Sequence, residues 1–569
     1  MYLRKLKNKK TGRIYLTIMQ GYRDKNGKSK STTISSLGYL DDLEKKYNDP
    51  IAHFENEINQ MNDQKSADEM PISVNTKDFL DVGQSNRKNF GYAPLCKIYH
   101  ELGIDQFLKN RQRSTKFEFD SNNIMKLLVF SRMLYPASKK KTYESKDMFF
   151  ENSDFSLDDV YRCLTFFNTH KDALMLWIHE YIKAQYKRDT SLVYYDLTNY
   201  YFEIDEQDEL RKNGVSKEHR PDPIVQMGLF MDTNGLPITY RLFPGNTQDK
   251  TTLIPMMSRI QHDFSLGKII VVADKGIITG DNIGYTLSAG NGYVFSYSVL
   301  CADHKFKEYV LDEGGYVWQG KDFKIKSRLY PREINITMTN GKKRKKAVDE
   351  KHVIFYSRKY DEKAKRDRAG ALEKAKDLIS NPEKYNRTTS YGAAKYVKNI
   401  VFDKETGEVL KKPGKVLEFN EELLKQEEMY DGYYAIVTSE YEKSAEEIVE
   451  IYRGLWKIEE SFKVTKGEFD ARPVYVSRQD HIEAHFLTCF VSLVIARILE
   501  LRLGRKYYVG RMLESLSKAC CTHMQENYYI FDYYDEVLAD IGKEFGIDFS
   551  RKYMRLADMK KIMGQAKKR

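Results

Sequence analysis

The sequence predicts an α/β chain of several domains, with a strand-rich centre set between helical flanks. Three observations predict it. Residues 191–299 alternate β-prone runs with helical spacing, whereas 90–190 and 481–569 read as helical. The 569 residues are far more than one hydrophobic core organises. Hydrophobic residues make up 41% and charged residues 31%, which excludes a disordered chain.

Residues 1–45 read as a small basic β unit. Arg13–Gln20 is one β-prone run, Asp24–Gly27 a turn signal and Ser31–Leu37 a second run. Cations crowd the unit from Arg4 to Lys30, so it is expected to bind DNA, although a solvated surface sheet has the same composition. Residues 46–89 read as a short helix and a linker, polar around Gln60–Ala67. Residues 90–190 are helical, with apolar spacing in Ile124–Tyr135 and Ala173–Ala184. The basic stretch Arg132–Lys141, broken by Pro136, suits a DNA-end reader or a plain spacer.

From residue 191 the texture changes. Ser191–Phe202, Val225–Met231 and Leu236–Phe243 read as strands, with Asp232–Gly235 as a hairpin turn. Lys250–Phe264 reads as a helix, Lys268–Ala273 as a buried strand, Thr279–Ser288 as a helix and Tyr293–Val299 as a strand. An antiparallel meander feeding a β-α-β crossover is the order of a ribonuclease-H-like core, assigned here to 191–299. Residues 300–440 read as an inserted, mainly β subdomain with one charged helix, Asp361–Ile379, and turn signals at Glu313–Gly315 and Asp403–Gly407. Residues 441–480 return to the core as one long helix, Glu442–Lys466, with a capping box at Ser444–Glu447 and a stop at Gly467. Residues 481–569 form a C-terminal helical region.

Lys plus Arg number 93 and Asp plus Glu 82, a net +11 that suits a polyanionic partner. Six cysteines without a C-x-x-C pair give no disulfide or zinc framework and read as reduced thiols. Ala484–Leu499 is the longest apolar stretch, but His485 and Arg497 interrupt it and it reads as a buried helix, with no membrane partner. The first residues lack the apolar core of a signal peptide. A cytoplasmic, nucleoid-associated protein is expected.

Three carboxylates carry the chemistry. Asp196 sits within a β-prone run, on one face with Tyr194 and Thr198. Asp274 follows five apolar strand residues. Glu459 shares a helical arc of roughly 80° with Tyr452, Trp456, Lys463 and Lys466, beside an apolar stripe of Leu455, Ile458 and Phe462. Each also has a plainer reading: a turn or cap for the aspartates, an i,i+4 pair with Lys463 for Glu459. Together they make an all-oxygen site suited to Mg²⁺ or Mn²⁺. Two such ions roughly 3.5–4 Å apart can activate a hydroxyl and stabilise the leaving oxygen of a phosphoryl displacement.

Five segments then resemble one family. They are Val193–Thr198; Gly228–Pro237 with Phe243–Asp249; Val272–Ile277; Asp431–Thr438; and Tyr452–Lys466. In this order they are similar to the DDE transposases of bacterial insertion sequences, the cut-and-paste group whose glutamate lies in a Tyr–Arg–Glu–Lys helix signature. Tyr452, Glu459 and Lys466 fit that signature, but its Arg position holds Leu455. Arg453 is the nearest substitute, and a continuous helix would point it about 160° away. The resemblance implies Asp196, Asp274 and Glu459 as catalytic, metal-binding residues with two Mg²⁺ or Mn²⁺ ions. It implies Tyr452, Arg453, Lys463 and Lys466 as DNA contacts. It further implies binding of terminal inverted repeats in double-stranded DNA, end cleavage, transfer of 3′-hydroxyls into target DNA, and a homodimer in the DNA complex. Trp318 is a candidate to stack a flipped base, against a reading as a hydrophobic anchor. The rivals are a non-catalytic, regulatory DNA-binding relative, another ribonuclease-H-like nuclease, and a tyrosine recombinase, which lacks a convincing C-terminal Arg, His and Tyr set here.

Overall fold

A computed structural model describes residues 1–9, 11–23, 28–64, 79–83, 85–215, 220–386, 389–403, 408–410, 416–524 and 527–568. The chain divides into two compact units. One comprises Met1–Lys97, Lys146–Asn152 and Arg511–Arg569; the other comprises Ile98–Ser145 and Ser153–Gly510.

In the first unit, Tyr2–Lys7, Ile14–Arg23 and Ser29–Tyr39 form an antiparallel three-stranded sheet. The expected turn at 24–27 and much of the expected linker lie outside the described residues. Leu16 packs with Leu43 and Phe54, so the helix Pro50–Gln64 covers one sheet face. Part of the cationic crowd is already neutralised: Arg13 bonds Asp41 and Asp42, and Lys5 bonds Glu55. A second, four-stranded sheet orders Tyr553–Arg555, Tyr528–Phe531, Cys520–His523 and Arg87–Asn89. The C-terminal region is therefore not wholly helical as expected. Strands of three or four residues are too short to show a period.

The second unit is built on a nine-stranded mixed sheet. Its strands are β1 (Leu192–Tyr201), β2 (Ile224–Asp232), β3 (Pro237–Pro244), β4 (Ile270–Ala273), β5 (Gly292–Tyr297), β6 (Val317–Trp318), β7 (Phe323–Thr337), β8 (Lys343–Ser357) and β9 (Tyr433–Thr438). Their order across the sheet is β3-β2-β1-β4-β5-β9-β8-β7-β6. β1, β2 and β3 pair antiparallel, and β1, β4 and β5 pair parallel. Helix α1 (Leu253–Asp263) links β3 to β4, and α2 (Gly280–Ser288) links β4 to β5. β4 reads as a continuous apolar run because a parallel strand is covered on both faces.

Residues 300–440, read as an inserted, mainly β subdomain, contribute strands to the main sheet. β7, β8 and β9 continue the main sheet from β5, and the rest includes the 23-residue helix Arg358–Ser380 with one two-stranded ladder of two residues each. β5 would otherwise be an open edge; β9 pairs antiparallel with it, and the long hairpin β7–β8 extends the sheet beyond β9. The expected turn at Asp403–Gly407 lies mostly outside the described residues.

A buried charge ties the hairpin to β5. The Glu350 carboxylate accepts from Arg332 Nε at 2.6 Å, Arg332 Nη2 at 2.8 Å and the Tyr293 hydroxyl at 2.5 Å. Burial pushes the Glu350 carboxyl up, but hydrogen bonds from His352 and Arg332 outweigh it and hold it down to about 2. The folded value lies below the unfolded one near 4.5. Its contribution is therefore complete above about pH 4.5 and is lost as pH falls toward 2. Unfolding free energies from urea melts are expected to fall by roughly 2 kcal/mol between about pH 5 and 3 on this account. Glu350→Gln is expected to flatten that part of the slope.

Helix α3 (Ala445–Arg453) and helix α4 (Trp456–Lys466) occupy the expected single helix. The capping box at Ser444 and Glu447 and the stop at Gly467 are both present. The break falls at Gly454, where a Cβ would lie 2.0 Å from the Tyr194 hydroxyl and 2.4 Å from Cζ of its ring. Gly454 and Leu455 keep right-handed φ/ψ between the two helices, and only glycine lets the backbone pass this close to Tyr194 of β1. Gly454→Ala is expected to cost about 1–3 kcal/mol in urea melts. Tyr194→Phe is expected to give little relief, because ring carbons clash too.

Helix α5 (Gln479–Arg502) runs through the core and is long and apolar enough to cross a membrane by composition, yet 94% of its apolar window is buried in the protein. It packs on the helices Ser121–Leu134 and Leu157–Thr169 and on β3. Its buried Arg497 is satisfied by Glu500 and by the Ser461 hydroxyl of α4.

Candidate active site

β1 and β4 set the first two carboxylates side by side. Their parallel register pairs Tyr195 with Ala273, so one residue further Asp196 meets Asp274. Adjacent backbones there are roughly 5 Å apart. Strand alternation sends Tyr195 to the opposite face, where its hydroxyl reaches Thr252 at 2.8 Å. Asp196 thus shares the face of Tyr194, over which α3 and α4 turn. Asp196 is half-buried and Asp274 exposed.

Asp274 is held by two hydroxyls. Its Oδ1 accepts from Ser296 Oγ on β5 at 2.6 Å and from the Tyr452 hydroxyl on α3 at 3.1 Å. The Tyr452 phenol is pushed up by burial and by the Asp274 charge. Tyr452, one of the expected DNA contacts, thus donates to a carboxylate.

Glu459 stands exposed in the first turn of α4. Leu455, Ile458 and Phe462 are buried beneath it, as the apolar stripe implied. The helix is seated by Ser461 with Arg497, and by Thr465 with the Tyr200 hydroxyl at 2.7 Å. Tyr434 of β9 lies within the electrostatic reach of both carboxylates. Its phenol is raised by burial, then by Tyr360, Asp274 and Glu459, so both carboxylate charges bear on one hydroxyl. Its ring stacks on Phe355 with centroids 5.6 Å apart and stays 42% exposed. Ser296 carries no sequence signal as a site residue, and Tyr434 lies in the Asp431–Thr438 segment without being singled out there.

The remaining expected contact residues lie as follows. Arg453 points away toward β7, pairing with Glu450 at 3.6 Å and lying over Phe323 at 5.8 Å. Lys463 is exposed, and Lys466 lies over the Tyr200 ring at 5.7 Å. Trp318 is 52% exposed on the edge strand β6, with the Lys324 ammonium 5.3 Å from its ring.

All three carboxylates offer hard oxygen donors, which fit Mg²⁺ or Mn²⁺. Among the described residues, Asp274 and Glu459 have no ion-pair partner to satisfy their charge. No three Asp, Glu, His or Cys side chains among the described residues gather closely enough to cage one ion. The geometry is an aspartate pair with Glu459 on the helix above the same face.

Comparisons with known proteins bear on this arrangement. Residues 219–495 match the family model described as a transposase DDE domain. Residues 3–71 match that of the IS1634 family transposase, N-terminal domain. Asp274 and Glu459 fall inside the first match, and Asp196 precedes it. No curated protein matches the chain. A cryo-EM structure of a piggyBac transposase synaptic complex with hairpin DNA is similar at 7% identity and a TM-score of 0.33, over 84% of this chain and 86% of that one. So loose a likeness carries no weight for the fold.

Proposed function

The chain belongs to the DDE transposases of bacterial insertion sequences, and from that premise we propose that it binds the terminal inverted repeats of its element, cleaves the DNA ends and transfers their 3′-hydroxyls into target DNA. The observation that carries this reading is the parallel register of β1 and β4, which brings Asp196 beside Asp274 on the face covered by the helix of Glu459. The order β3-β2-β1-β4-β5, with β1, β4 and β5 parallel, supports a ribonuclease-H-like core.

Asp196, Asp274 and Glu459 would hold the ions, two in number. When bound, Mg²⁺ or Mn²⁺ supplies Lewis acidity to a hydroxyl nucleophile and to the leaving oxygen of a phosphodiester. Ser296 and Tyr452 fix the direction of the Asp274 oxygen, and Lys463 and Lys466 offer point charges to DNA phosphates. Trp318, exposed at the sheet edge, keeps a ring face for a base. The basic N-terminal sheet and the helices before β1 are read as DNA-binding parts. Two ends cut in one complex call for a homodimer on DNA, acting at the nucleoid.

Labelled DNA carrying the element's end tests this. With Mg²⁺ or Mn²⁺, cleavage and 3′-end joining are expected, and a chelator is expected to stop both. Tight binding of the end without cleavage in either metal would favour a regulatory relative. Cleavage without joining would favour another nuclease. Tyr452→Phe removes one donor to Asp274, and the metal concentration for half-maximal cleavage is expected to rise about tenfold.

A further inference from the structure

We propose that the tip of the β7–β8 hairpin, residues 342–346, holds the phosphate backbone of target DNA, a duplex without the terminal repeat. Lys342, Lys343, Arg344, Lys345 and Lys346 are five cations in succession. All five are exposed, and among the described residues one of them, Lys345, has a carboxylate partner, Glu333 at 2.9 Å. Like charges this dense repel one another. A duplex relieves that repulsion and releases its own counterions as it binds. Strand alternation puts Lys343 and Lys345 on one face of β8 and Arg344 and Lys346 on the other.

The tip is anchored close behind Asp274. The end of β7 lies against α2, and two glycines one turn apart on that helix admit it. A Cβ on Gly280 would lie 2.1 Å from the Asn335 carbonyl oxygen, and one on Gly284 2.8 Å from Ile336 Cδ1. Asp281, between them, accepts from the Thr337 backbone N–H at 2.5 Å and from the Thr337 hydroxyl at 3.0 Å. Thr337 pairs with Lys343 across the hairpin. Asp281 is 281 − 274 = 7 residues from Asp274, so their backbones are at most about 25 Å apart. That is less than one turn of B-DNA, about 34 Å, so one duplex is long enough to touch both the tip and the carboxylates. Two further exposed cations stand by α2: Lys275 directly follows Asp274, and the Lys250 carbonyl accepts from Asn282 at 2.9 Å. Lysine-rich contacts of this kind are point charges on phosphates and read no base. The element's end has to be told from other DNA by its sequence, whereas target DNA is held without a repeat to read, and sequence-blind charge fits the target. The proposal rests on the transposase reading for the identity of that duplex.

The test uses the full chain and a quadruple variant, Lys342→Gln, Lys343→Gln, Arg344→Gln and Lys346→Gln, which keeps the Lys345–Glu333 pair. The four side chains are exposed, so its thermal melt is expected to match wild type. A control variant removes the same charge from the helix Arg358–Ser380: Lys359→Gln, Lys363→Gln, Arg366→Gln and Lys376→Gln, all exposed. Binding to a repeat-free duplex and to a repeat-bearing duplex of the same length is measured across a salt series. On the repeat-free duplex the tip variant is expected to bind at least about tenfold more weakly at low salt, with a slope of log K against log salt shallower by about two or more. On the repeat-bearing duplex it is expected to lose less than about threefold, and the control is expected to match wild type on both. A folded tip variant with the wild-type slope overturns the proposal and leaves the run as protection of the β8 edge that β9 does not pair before Lys351. An equal loss in the control also overturns it, because net charge alone would then account for the effect. A loss as large on the repeat-bearing duplex assigns the tip to the element's end and overturns the target assignment. A wild type that binds both duplexes equally and cleaves neither counts against the transposase reading instead, and the slope on the repeat-free duplex then decides the tip by itself.

Discussion

Asp196→Asn, Asp274→Asn and Glu459→Gln are each expected to lower metal-dependent end cleavage by about 10³-fold or more while the protein stays folded and still binds the DNA end. The amides keep side-chain volume and remove only the charge, at positions that are half-buried or exposed. In Asp274→Asn the carbonyl oxygen can still accept from Ser296 and Tyr452, so geometry is kept and metal affinity is not. Groups that act as one site lose activity non-additively, so the triple variant is expected to be little worse than the worst single one. Single-turnover cleavage with thermal melts as controls measures this. A Glu459→Gln enzyme within about tenfold of wild type would remove Glu459 from the site.

Arg188→Ala is expected to destabilise the second unit by about 3–5 kcal/mol, the largest effect of any single change outside the carboxylates. Arg188 Nε lies 3.2 Å from Asp232, and both side chains are essentially inaccessible. Arg188 also donates to the Pro237 carbonyl at 2.7 Å. Asp232 in turn accepts from the backbone of Asn234 and Leu236 and so closes the β2–β3 turn, where Gly235 takes φ +77°. Removing the guanidinium leaves a buried carboxylate with no counter-charge. Burial raises the Asp232 carboxyl and Arg188 lowers it, so the variant is expected to take up a proton on folding. Urea unfolding should show the loss. A double variant, Arg188→Met with Asp232→Asn, is expected to cost less than Arg188→Ala alone. An Arg188→Ala protein within about 1 kcal/mol of wild type would contradict the account of the turn.

Much of this was readable beforehand, for identifiable reasons. The five strands from β1 to β5 lie in β-prone runs separated by turn residues, so their order followed from pattern. Asp196 and Asp274 stood out because each is a lone carboxylate in or after an apolar run. The need for glycine at 454 was not readable: it comes from the close approach of Tyr194, on a strand distant in sequence, and an isolated glycine inside helical spacing looks tolerable. Ser296 reaches Asp274 only because β5 lies beside β4. The hairpin β7–β8 was readable as strands, but not as an extension of the main sheet, because nothing local says which edge stands open. Arg188 and Asp232 were legible as a charge and a turn residue; their burial as a pair was not.

Iron-mediated cleavage of the polypeptide tests the central claim most directly. Fe²⁺ replacing Mg²⁺ in the complex with an element-end DNA, given ascorbate and peroxide, cuts backbone close to where the ion sits. Cuts are expected near residues 196, 274 and 459, three places far apart in sequence. All three should be competed away by Mg²⁺ and lost in Asp274→Asn. Cuts confined to other segments, or three cuts that persist in Asp274→Asn, would contradict the assignment of these carboxylates as the metal site.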